Sequence, residues 1–202
     1  MKKILCFGDS NTWGHNPVDG TRLEKPWPKV LGELIPDCEI IEDGVCGRTT
    51  AYDLPEDGKN GLKSFEEYIK NKNGADILIL ILGTNDTLNA VNKPANVSAE
   101  NIREYIHLWK DEFPESNILI VSPIYITKYA LQHETFSQLY SHNSIITSHN
   151  FAVEYAKITK EENVYFHDAS LYAQPSSVDG IHLDAEGHEK LAESAAARIR
   201  GI

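Results

Sequence analysis

The stretch that decides the fold is the apolar run Ile4-Leu5-Cys6-Phe7, followed at once by the polar turn Gly8-Asp9-Ser10-Asn11-Thr12. A short, continuous apolar run bounded by turn residues is typical of a strand buried on both faces. The small and polar residues after it predict a tight turn that presents Ser10 at the rim of a sheet. A lone serine in such a turn is more often part of a helix cap than a nucleophile, so Ser10 needs partners elsewhere in the chain.

Four more apolar runs of this kind follow, with helical patterns between them. The predicted strands cover residues 3–7, 39–41, 77–82, 118–121 and 164–166. The predicted helices cover residues 27–35, 61–72, 98–113, 137–162 and 184–199, and the fourth should bend or break near its middle. Strands that alternate with helices predict an α/β fold with a five-stranded parallel sheet and helices on both faces. In such sheets, functional sites form beyond the carboxyl ends of the strands.

Length and charge limit the classes of function. The chain has 202 residues, 41% of them hydrophobic, and no Pro/Gly/Ser-rich linker, which predicts one domain over residues 1–202. A net charge of -11 argues against nucleic-acid and anionic membrane partners and favours a small neutral substrate. The longest apolar run has six residues, too few for a membrane span, and the run at 4–7 is too short for a signal peptide. These features predict a cytoplasmic protein.

The cysteines and histidines show no metal-ligand spacing. Cys6, Cys38 and Cys46 are odd in number and lack a C-x-x-C pattern, so neither a disulfide framework nor a zinc site is indicated. Eight histidines invite a metal-dependent hydrolase, yet none are spaced as H-x-x-x-H. We interpret the three that fall in predicted helices as surface or structural residues: His142, His149 and His188.

Polar residues also follow the second and third predicted strands. The loop at 43–50 contains Gly44 and Gly47, which allow close approach of a ligand to backbone N–H groups. After the third strand, Gly83-Thr84-Asn85-Asp86 offers the Asn85 amide as a neutral donor to a developing oxyanion. Each has an ordinary alternative, as a plain loop or an Asx turn. We interpret Asp9 and Asp86 as acceptors that stabilise their turns.

The segment Asp179-Gly180-Ile181-His182 precedes the last predicted helix. A carboxylate and an imidazole three residues apart can meet across a turn, and the carboxylate then holds the tautomer while the second nitrogen faces Ser10. Together they supply a nucleophile, a base and a base-orienter for acyl transfer. Asp168, which follows the fifth strand, is the rival orienter.

These residues resemble the four sequence blocks of the GDSL-type, or SGNH, hydrolases: Gly8-Asp9-Ser10, Gly47, Gly83-Thr84-Asn85-Asp86 and 179–182. The resemblance spans nearly the whole chain and implies a flavodoxin-like three-layer α/β/α sandwich. It also implies that Ser10 is the nucleophile, His182 the general base and Asp179 its orienter. The implied oxyanion hole consists of the Ser10 N–H, the Gly47 N–H and the Asn85 side chain. Gly47 is preferred to Gly44 because Arg48-Thr49 follows it, as in the family pattern.

Within that family, residues 5–14, 47–50 and 82–87 resemble the bacterial arylesterase and acyltransferase branch. This implies hydrolysis of short-chain acetyl-like or aryl esters through an acyl-enzyme, without a cofactor, and leaves acyl transfer to alcohols and homo-oligomers open. Asn11 stands where the family's name motif has Leu, which should alter packing more than chemistry. Trp13, Trp27, Tyr125 and Tyr129 are candidates for an apolar pocket, and equally for core or subunit contacts.

Two other functions remain as alternatives, and a third is rejected. A flavodoxin-like binding module would also have a Ser/Thr/Asn-rich loop after the first strand, but it would not need Asp179 and His182. A deacetylase of acetylated carbohydrates would use the same residues as the esterase. An α/β-hydrolase fits poorly, because Thr12 occupies the final Gly position of its Gly-x-Ser-x-Gly motif.

Overall fold

A five-stranded parallel sheet lies at the centre of the computed structural model, which describes residues 1–56, 58–71 and 73–202. The strands are β1 (Lys2–Gly8), β2 (Cys38–Gly44), β3 (Ile77–Ile81), β4 (Asn117–Ser122) and β5 (Tyr165–Asp168). Their order in the sheet is β2-β1-β3-β4-β5, and every neighbouring pair is parallel. The predicted parallel sheet of five strands is therefore confirmed.

Helices connect the strands. They are α1 (Ser10–Trp13), α2 (Trp27–Leu34), α3 (Gly61–Lys70), α4 (Ala95–Glu112), α5 (Phe136–Leu139), α6 (His142–Ser148), α7 (Phe151–Glu161) and α8 (Ala185–Ile199). Short 3-10 turns occur at Thr84–Thr87, Lys128–Leu131 and Ala169–Leu171. The helices predicted at 27–35 and 184–199 are confirmed. The helix predicted at 61–72 ends at Lys70, and Lys72 lies outside the described residues.

The predicted start of the third helix at Ser98 was wrong. Helix α4 begins three residues earlier, after Pro94, whose extended backbone (φ -72°, ψ 155°) precedes Ala95. Ser98 lies inside the helix and donates its hydroxyl to Asp86 Oδ2 at 2.6 Å. A polar side chain that resembled a local cap thus serves a contact that is distant in sequence.

The region 137–162 breaks twice rather than once. The expected break near the middle occurs at His149-Asn150, between α6 and α7. The additional break precedes α6, where Ser141 and Ser144 exchange the reciprocal hydrogen bonds of a capping box. These bonds satisfy backbone and side-chain groups at the start of α6, so the chain starts a new helix there.

Side chains of each strand alternate between two apolar layers. On one face, Ile4 and Cys6 of β1 pack with α2 and α8. On the other face, Leu5 and Phe7 pack with α3, α4 and α7. Burying each of these side chains contributes about 1.5–3 kcal/mol, so both layers stabilise the sheet. The expected three-layer α/β/α arrangement is confirmed. Trp27, a pocket candidate, is fully buried in the first layer.

Strand β1 lies between β2 and β3, so the chain turns in opposite directions from it. Such a switch point opens a crevice beyond the strand ends. The segments that follow β1, β2 and β3 meet at this crevice. Within the described ranges, none of the helices has the length and apolar character needed to cross a membrane.

Candidate active site

Ser10 is the first residue of α1 and comes two residues after the end of β1. Asp9 caps this short helix, since its carboxylate accepts the N–H of Asn11 at 2.9 Å. The helix ends at Gly14 after a single turn. Ser10 is consequently held on a rigid turn at the rim of the sheet, with 6% of its surface exposed.

His182 links Ser10 to Asp179. Its Nε2 lies 2.9 Å from Ser10 Oγ, and its Nδ1 lies 2.6 Å from Asp179 Oδ2. An ionised carboxylate only accepts hydrogen bonds, so Nδ1 carries the proton and Nε2 is left as the acceptor for the Ser10 hydroxyl. The two ends of the chain are thus joined across 172 residues.

The turn at 179–182 holds both groups in place. Asp179 is fully buried, and its Oδ1 accepts the N–H groups of Ile181 at 2.9 Å and His182 at 3.0 Å. Gly180 adopts φ +72°, and a Cβ there would lie 2.4 Å from Ala130 N, so the turn requires glycine.

Burial alone would raise the pKa of Asp179. The hydrogen bond and positive charge of His182, with two backbone N–H donors, outweigh that effect and lower the pKa of this carboxyl below its usual range. Asp179 therefore stays ionised and can stabilise a protonated His182. This arrangement is chemically competent to remove a proton from Ser10.

Asn85 lies in the 3-10 turn after β3, at the same end of the sheet as the Ser10 turn, because Gly8 of β1 pairs with Ile81 of β3. Its Nδ2 donates to the carbonyl of Arg48 at 3.0 Å, and its Oδ1 accepts the Tyr140 hydroxyl at 3.2 Å. The Arg48 carbonyl can only accept, which fixes the orientation of the amide. One N–H of Asn85 is thereby left for a ligand. No sequence pattern indicated that the Arg48 carbonyl and Tyr140 would orient Asn85.

The loop after β2 is anchored by the buried Arg48 side chain. Its guanidinium donates to the Gly8 carbonyl at 3.0 Å and to the Asp43 carboxylate at 2.7 Å. Gly47, one residue earlier, has φ +79°. Among the described residues, no hydrogen bond takes up the N–H of Ser10 or of Gly47. Gly44, the alternative to Gly47 as an oxyanion donor, is the last residue of β2. A Cβ at this position would lie 2.2 Å from Trp13 N.

Two aromatic rings flank the His182 imidazole. The His15 ring lies 4.0 Å away between centroids, and the Phe136 ring 5.5 Å away. Burial and the charge of His182 lower the pKa of His15 to about 4, so His15 is neutral near pH 7. The sequence analysis missed both residues: Phe136 lies far from any motif, and His15, although it follows the block 5–14, has no local feature that indicates contact with His182.

The predicted pocket residues occupy different places. The centroid of the Trp13 ring lies 6.4 Å from that of His15, and His15 in turn packs against His182. Tyr125 stacks on the exposed His149 with centroids 4.0 Å apart. Tyr129 is 38% exposed and adjoins the Gly180 turn.

The other acidic residues have partners of their own. Asp168, the rival orienter, accepts hydrogen bonds from Ser122 and Ser170. Asp86 was expected to stabilise its own turn; instead it bridges the loop after β2 to α4, accepting from Thr50 and Ser98. The prediction for Asp86 was incomplete because these donors lie 36 and 12 residues away.

His15, Asp179 and His182 bring potential metal-ligand atoms within 4.8 Å of one another. The two imidazole rings lie against each other with an interplanar angle of 32°, so their in-plane lone pairs run side by side rather than towards one point. Both nitrogens of His182 are also within hydrogen-bonding distance of Ser10 and Asp179. The cluster therefore suits proton transfer better than metal coordination. His188 Nδ1 accepts the backbone N–H of Trp27 at 3.1 Å, so His188 is structural.

One known protein family matches almost the whole chain. The sequence model of the GDSL-like Lipase/Acylhydrolase family matches residues 4–195. The chain belongs to this family. Membership of the GDSL-like hydrolases confirms the predicted resemblance and the prediction of an ester-hydrolysing enzyme, and it disfavours a flavodoxin-like binding module. No curated protein gives a significant sequence match.

Several solved structures resemble the whole chain. A carbohydrate acetylesterase family member from Sinorhizobium meliloti is 30% identical, with TM-score 0.90 and coverage of 100% of this chain and 98% of that one. The inhibitor-bound aryl esterase of M. smegmatis is 28% identical, with TM-score 0.90 and coverage of 100% and 99%. Est24, a carbohydrate acetylesterase from Sinorhizobium meliloti, is 25% identical, with TM-score 0.90 and the same coverage.

Proposed function

We propose that this GDSL-like hydrolase is a serine esterase that cleaves short-chain acyl esters, acetyl-like or aryl, through an acyl-enzyme on Ser10. The observation that carries the proposal is the continuous hydrogen-bonded chain from Ser10 through His182 to the buried Asp179. The aryl esterase and carbohydrate acetylesterase relatives support an ester substrate with a small acyl group.

The geometry suggests the following steps. His182 Nε2 takes the proton from Ser10 as Oγ attacks the ester carbonyl carbon, and Asp179 stabilises the imidazolium. The oxyanion receives hydrogen bonds from the N–H groups of Ser10 and Gly47 and from the remaining N–H of Asn85. His182 then protonates the departing alcohol. A water molecule, deprotonated by His182, attacks the acyl-enzyme and releases the acid and free Ser10.

Charge and burial support a small, neutral substrate. Ser10 and Asn85 are each at most 6% exposed, so both groups are recessed from the surface, which favours a compact acyl group. Three buried carboxylates, of Asp9, Asp86 and Asp179, surround the crevice, and the chain carries a net charge of -11. An anionic substrate would be repelled, and so would a nucleic acid.

Removal of acetyl groups from carbohydrates is the second candidate. Two structural relatives, at 30% and 25% identity, are carbohydrate acetylesterases. The same Ser10 chemistry would serve an acetylated sugar, and an alcohol in place of the water that attacks the acyl-enzyme would give acyl transfer. The two candidates differ only in the alcohol that leaves.

The remaining proposals rest on sequence. One domain over residues 1–202 is supported by the absence of a linker-like stretch in the sequence. A cytoplasmic location is supported by the three cysteines, which are free in the structure. Assembly into a homo-oligomer is also proposed, and only the resemblance to the bacterial arylesterase and acyltransferase branch supports it.

The test compares wild type, Ser10→Ala and Ser194→Ala on p-nitrophenyl esters of increasing acyl length and on an acetylated xylo-oligosaccharide. Ser194 is the matched control because its hydroxyl lies on α8 and contacts His167 and Leu191, away from His182. We expect turnover to fall with acyl length, to persist in Ser194→Ala and to vanish in Ser10→Ala. Full activity of Ser10→Ala would refute the assignment of Ser10 as the nucleophile. Preference for the acetylated sugar over p-nitrophenyl acetate would favour the deacetylase.

A further inference from the structure

The amide of Asn11 joins the Ser10 turn to the His182 turn. Asn11 Oδ1 accepts the N–H of Leu183 at 2.9 Å, and Asn11 Nδ2 donates to the carbonyl of Ile181 at 3.3 Å. These two partners stand on either side of His182. Since a backbone N–H only donates and a carbonyl only accepts, the pairing fixes the amide orientation. Asn11 is 6% exposed, so water competes little for these bonds.

The two hydrogen bonds of Asn11 connect the Ser10 turn to the His182 turn, whereas the hydrogen bonds of Asp179 stay within one turn. Asp179 holds the imidazole and the N–H groups of Ile181 and His182, all within its own turn. Among the described residues, only the Ser10–His182 contact and the two bonds of Asn11 link residues 8–12 to residues 179–183 by hydrogen bonds. Asn11 is therefore the scaffold connection between the two turns, independent of the reacting atoms.

Ser10 and Asn11 are consecutive residues of α1, so their backbones move together. Whatever fixes Asn11 against the backbone of Ile181 and Leu183 also fixes Ser10 Oγ against His182 Nε2. A leucine at position 11 would fill similar space but would leave the Leu183 N–H and the Ile181 carbonyl without their partner. The sequence expectation that Asn11 affects packing more than chemistry is thus incomplete.

We infer that Asn11 is a positioning residue that sets the Ser10–His182 distance by clamping the backbone on both sides of His182. The inference rests on the proposed function. Displacement of a reacting group by about 1 Å can reduce the rate about 10²-fold. The effect falls on proton transfer from Ser10 and leaves the walls that hold the substrate in place, so it should lower kcat and spare KM.

The test measures kcat, KM, melting temperature and the rate of inactivation by phenylmethylsulfonyl fluoride for wild type, Asn11→Leu and Asn11→Asp. The sulfonyl fluoride reports the reactivity of Ser10 without ester turnover. For Asn11→Leu we expect kcat and the inactivation rate to fall together by about 10- to 100-fold, with KM within about threefold of wild type. Asn11→Asp keeps an acceptor for the Leu183 N–H and should lie between.

Trp109→Phe is the stability control. Trp109 is fully buried and donates to Ser116 near the amino end of β4, far from Ser10, so this variant should melt lower with unchanged kcat. Wild-type kcat and inactivation rate in Asn11→Leu would overturn the inference, and so would an equal kinetic loss in Trp109→Phe. If Asn11→Leu does not fold, wild-type kinetics in Asn11→Asp and Asn11→Ala together would overturn it.

Failure of the proposed function gives a different pattern. In that case wild type itself shows neither ester turnover nor labelling of Ser10 by the sulfonyl fluoride, and the positioning role falls with it. Labelling and turnover in wild type, retained in the Asn11 variants, would refute the positioning role alone.

Discussion

Asn85 shows at the scale of one residue how an amide is made directional. Its carbonyl accepts from Tyr140 and one of its N–H groups is taken by Arg48, so the other N–H points in a fixed direction. Donors that are oriented before the reaction need no rearrangement as charge develops on the substrate.

We expect Asn85→Ala to lower kcat about 10²–10³-fold, because one oxyanion donor is lost while Ser10 and His182 remain. Tyr140→Phe should lower kcat less, since it removes the group that orients Asn85 and keeps the donor itself. Steady-state kinetics on p-nitrophenyl acetate measure both. A larger loss in Tyr140→Phe than in Asn85→Ala would contradict this role of Asn85.

The carboxylate that orients His182 is tested by a matched pair of substitutions. In Asp179→Asn, the new amide can donate to Nδ1 and stabilise the tautomer that cannot accept the Ser10 proton, so kcat should fall about 10²–10⁴-fold. Asp168→Asn should change kcat less than about threefold, because Asp168 contacts Ser122 and Ser170 instead. Steady-state kinetics of both variants measure the two losses in kcat. A larger loss in Asp168→Asn than in Asp179→Asn would make Asp168 the residue that orients His182.

At the scale of elements, Asp86 ties three segments together. Its carboxylate accepts the N–H of Thr50 at 2.7 Å, the Thr50 hydroxyl at 2.5 Å and the Ser98 hydroxyl at 2.6 Å. The loop after β2, the turn after β3 and α4 thus share one buried acceptor. Asn85 and Gly47 sit on two of these segments, so the link sets their separation.

Ser98→Ala should lower the free energy of unfolding by about 1–3 kcal/mol, because a buried carboxylate loses a donor that water cannot replace. Ser64→Ala is the control, since within the described ranges the Ser64 hydroxyl bonds only to Asn60 O, four residues earlier in the chain. Urea unfolding of both variants gives the comparison. Equal stability of the two would show that the link to α4 contributes little.

At the scale of the whole molecule, stability depends on pH through buried carboxyls near the crevice. Burial raises the pKa of Asp9 to about 6, despite hydrogen bonding from Asn11 and the positive charges of His182 and Arg48. Between its ordinary value and about 6, the folded chain keeps a proton that the unfolded chain has lost. The contribution of Asp9 to stability is therefore full at low pH and is lost as pH rises through that window.

Asp9→Asn keeps an acceptor for the Asn11 N–H but does not titrate. We expect the unfolding free energy of wild type, relative to Asp9→Asn, to fall by about 2 kcal/mol between pH 4 and pH 7. Urea unfolding midpoints across this pH range measure the difference in stability between wild type and Asp9→Asn. Because both proteins contain His15 and His188, the titration of these histidines cancels in that difference. Asp19→Asn, at an exposed acid whose pKa is lowered by Thr21, should show no such fall. A flat difference for Asp9→Asn would mean that Asp9 ionises normally.

The strand pattern and the motif blocks could be predicted from the sequence because they depend on short-range physics. Continuous apolar runs predict buried strands, and a polar turn directly after such a run can only lie at the end of the sheet. For that reason the parallel sheet, the three layers and the turns that carry Ser10, Asn85 and His182 were foreseeable. The start of α4 was not, since Ser98 resembles a cap locally and binds Asp86 at a distance.

What only the tertiary structure decided are the contacts between residues that are far apart in the chain. His15 and Phe136 flank His182, Tyr140 orients Asn85, and Asn11 clamps Ile181 and Leu183. No local pattern encodes these pairs, because each depends on how the loops after different strands close over one crevice. By itself, the sequence determined which chemical groups reach the sheet edge, whereas packing determined their distances, orientations and protonation states.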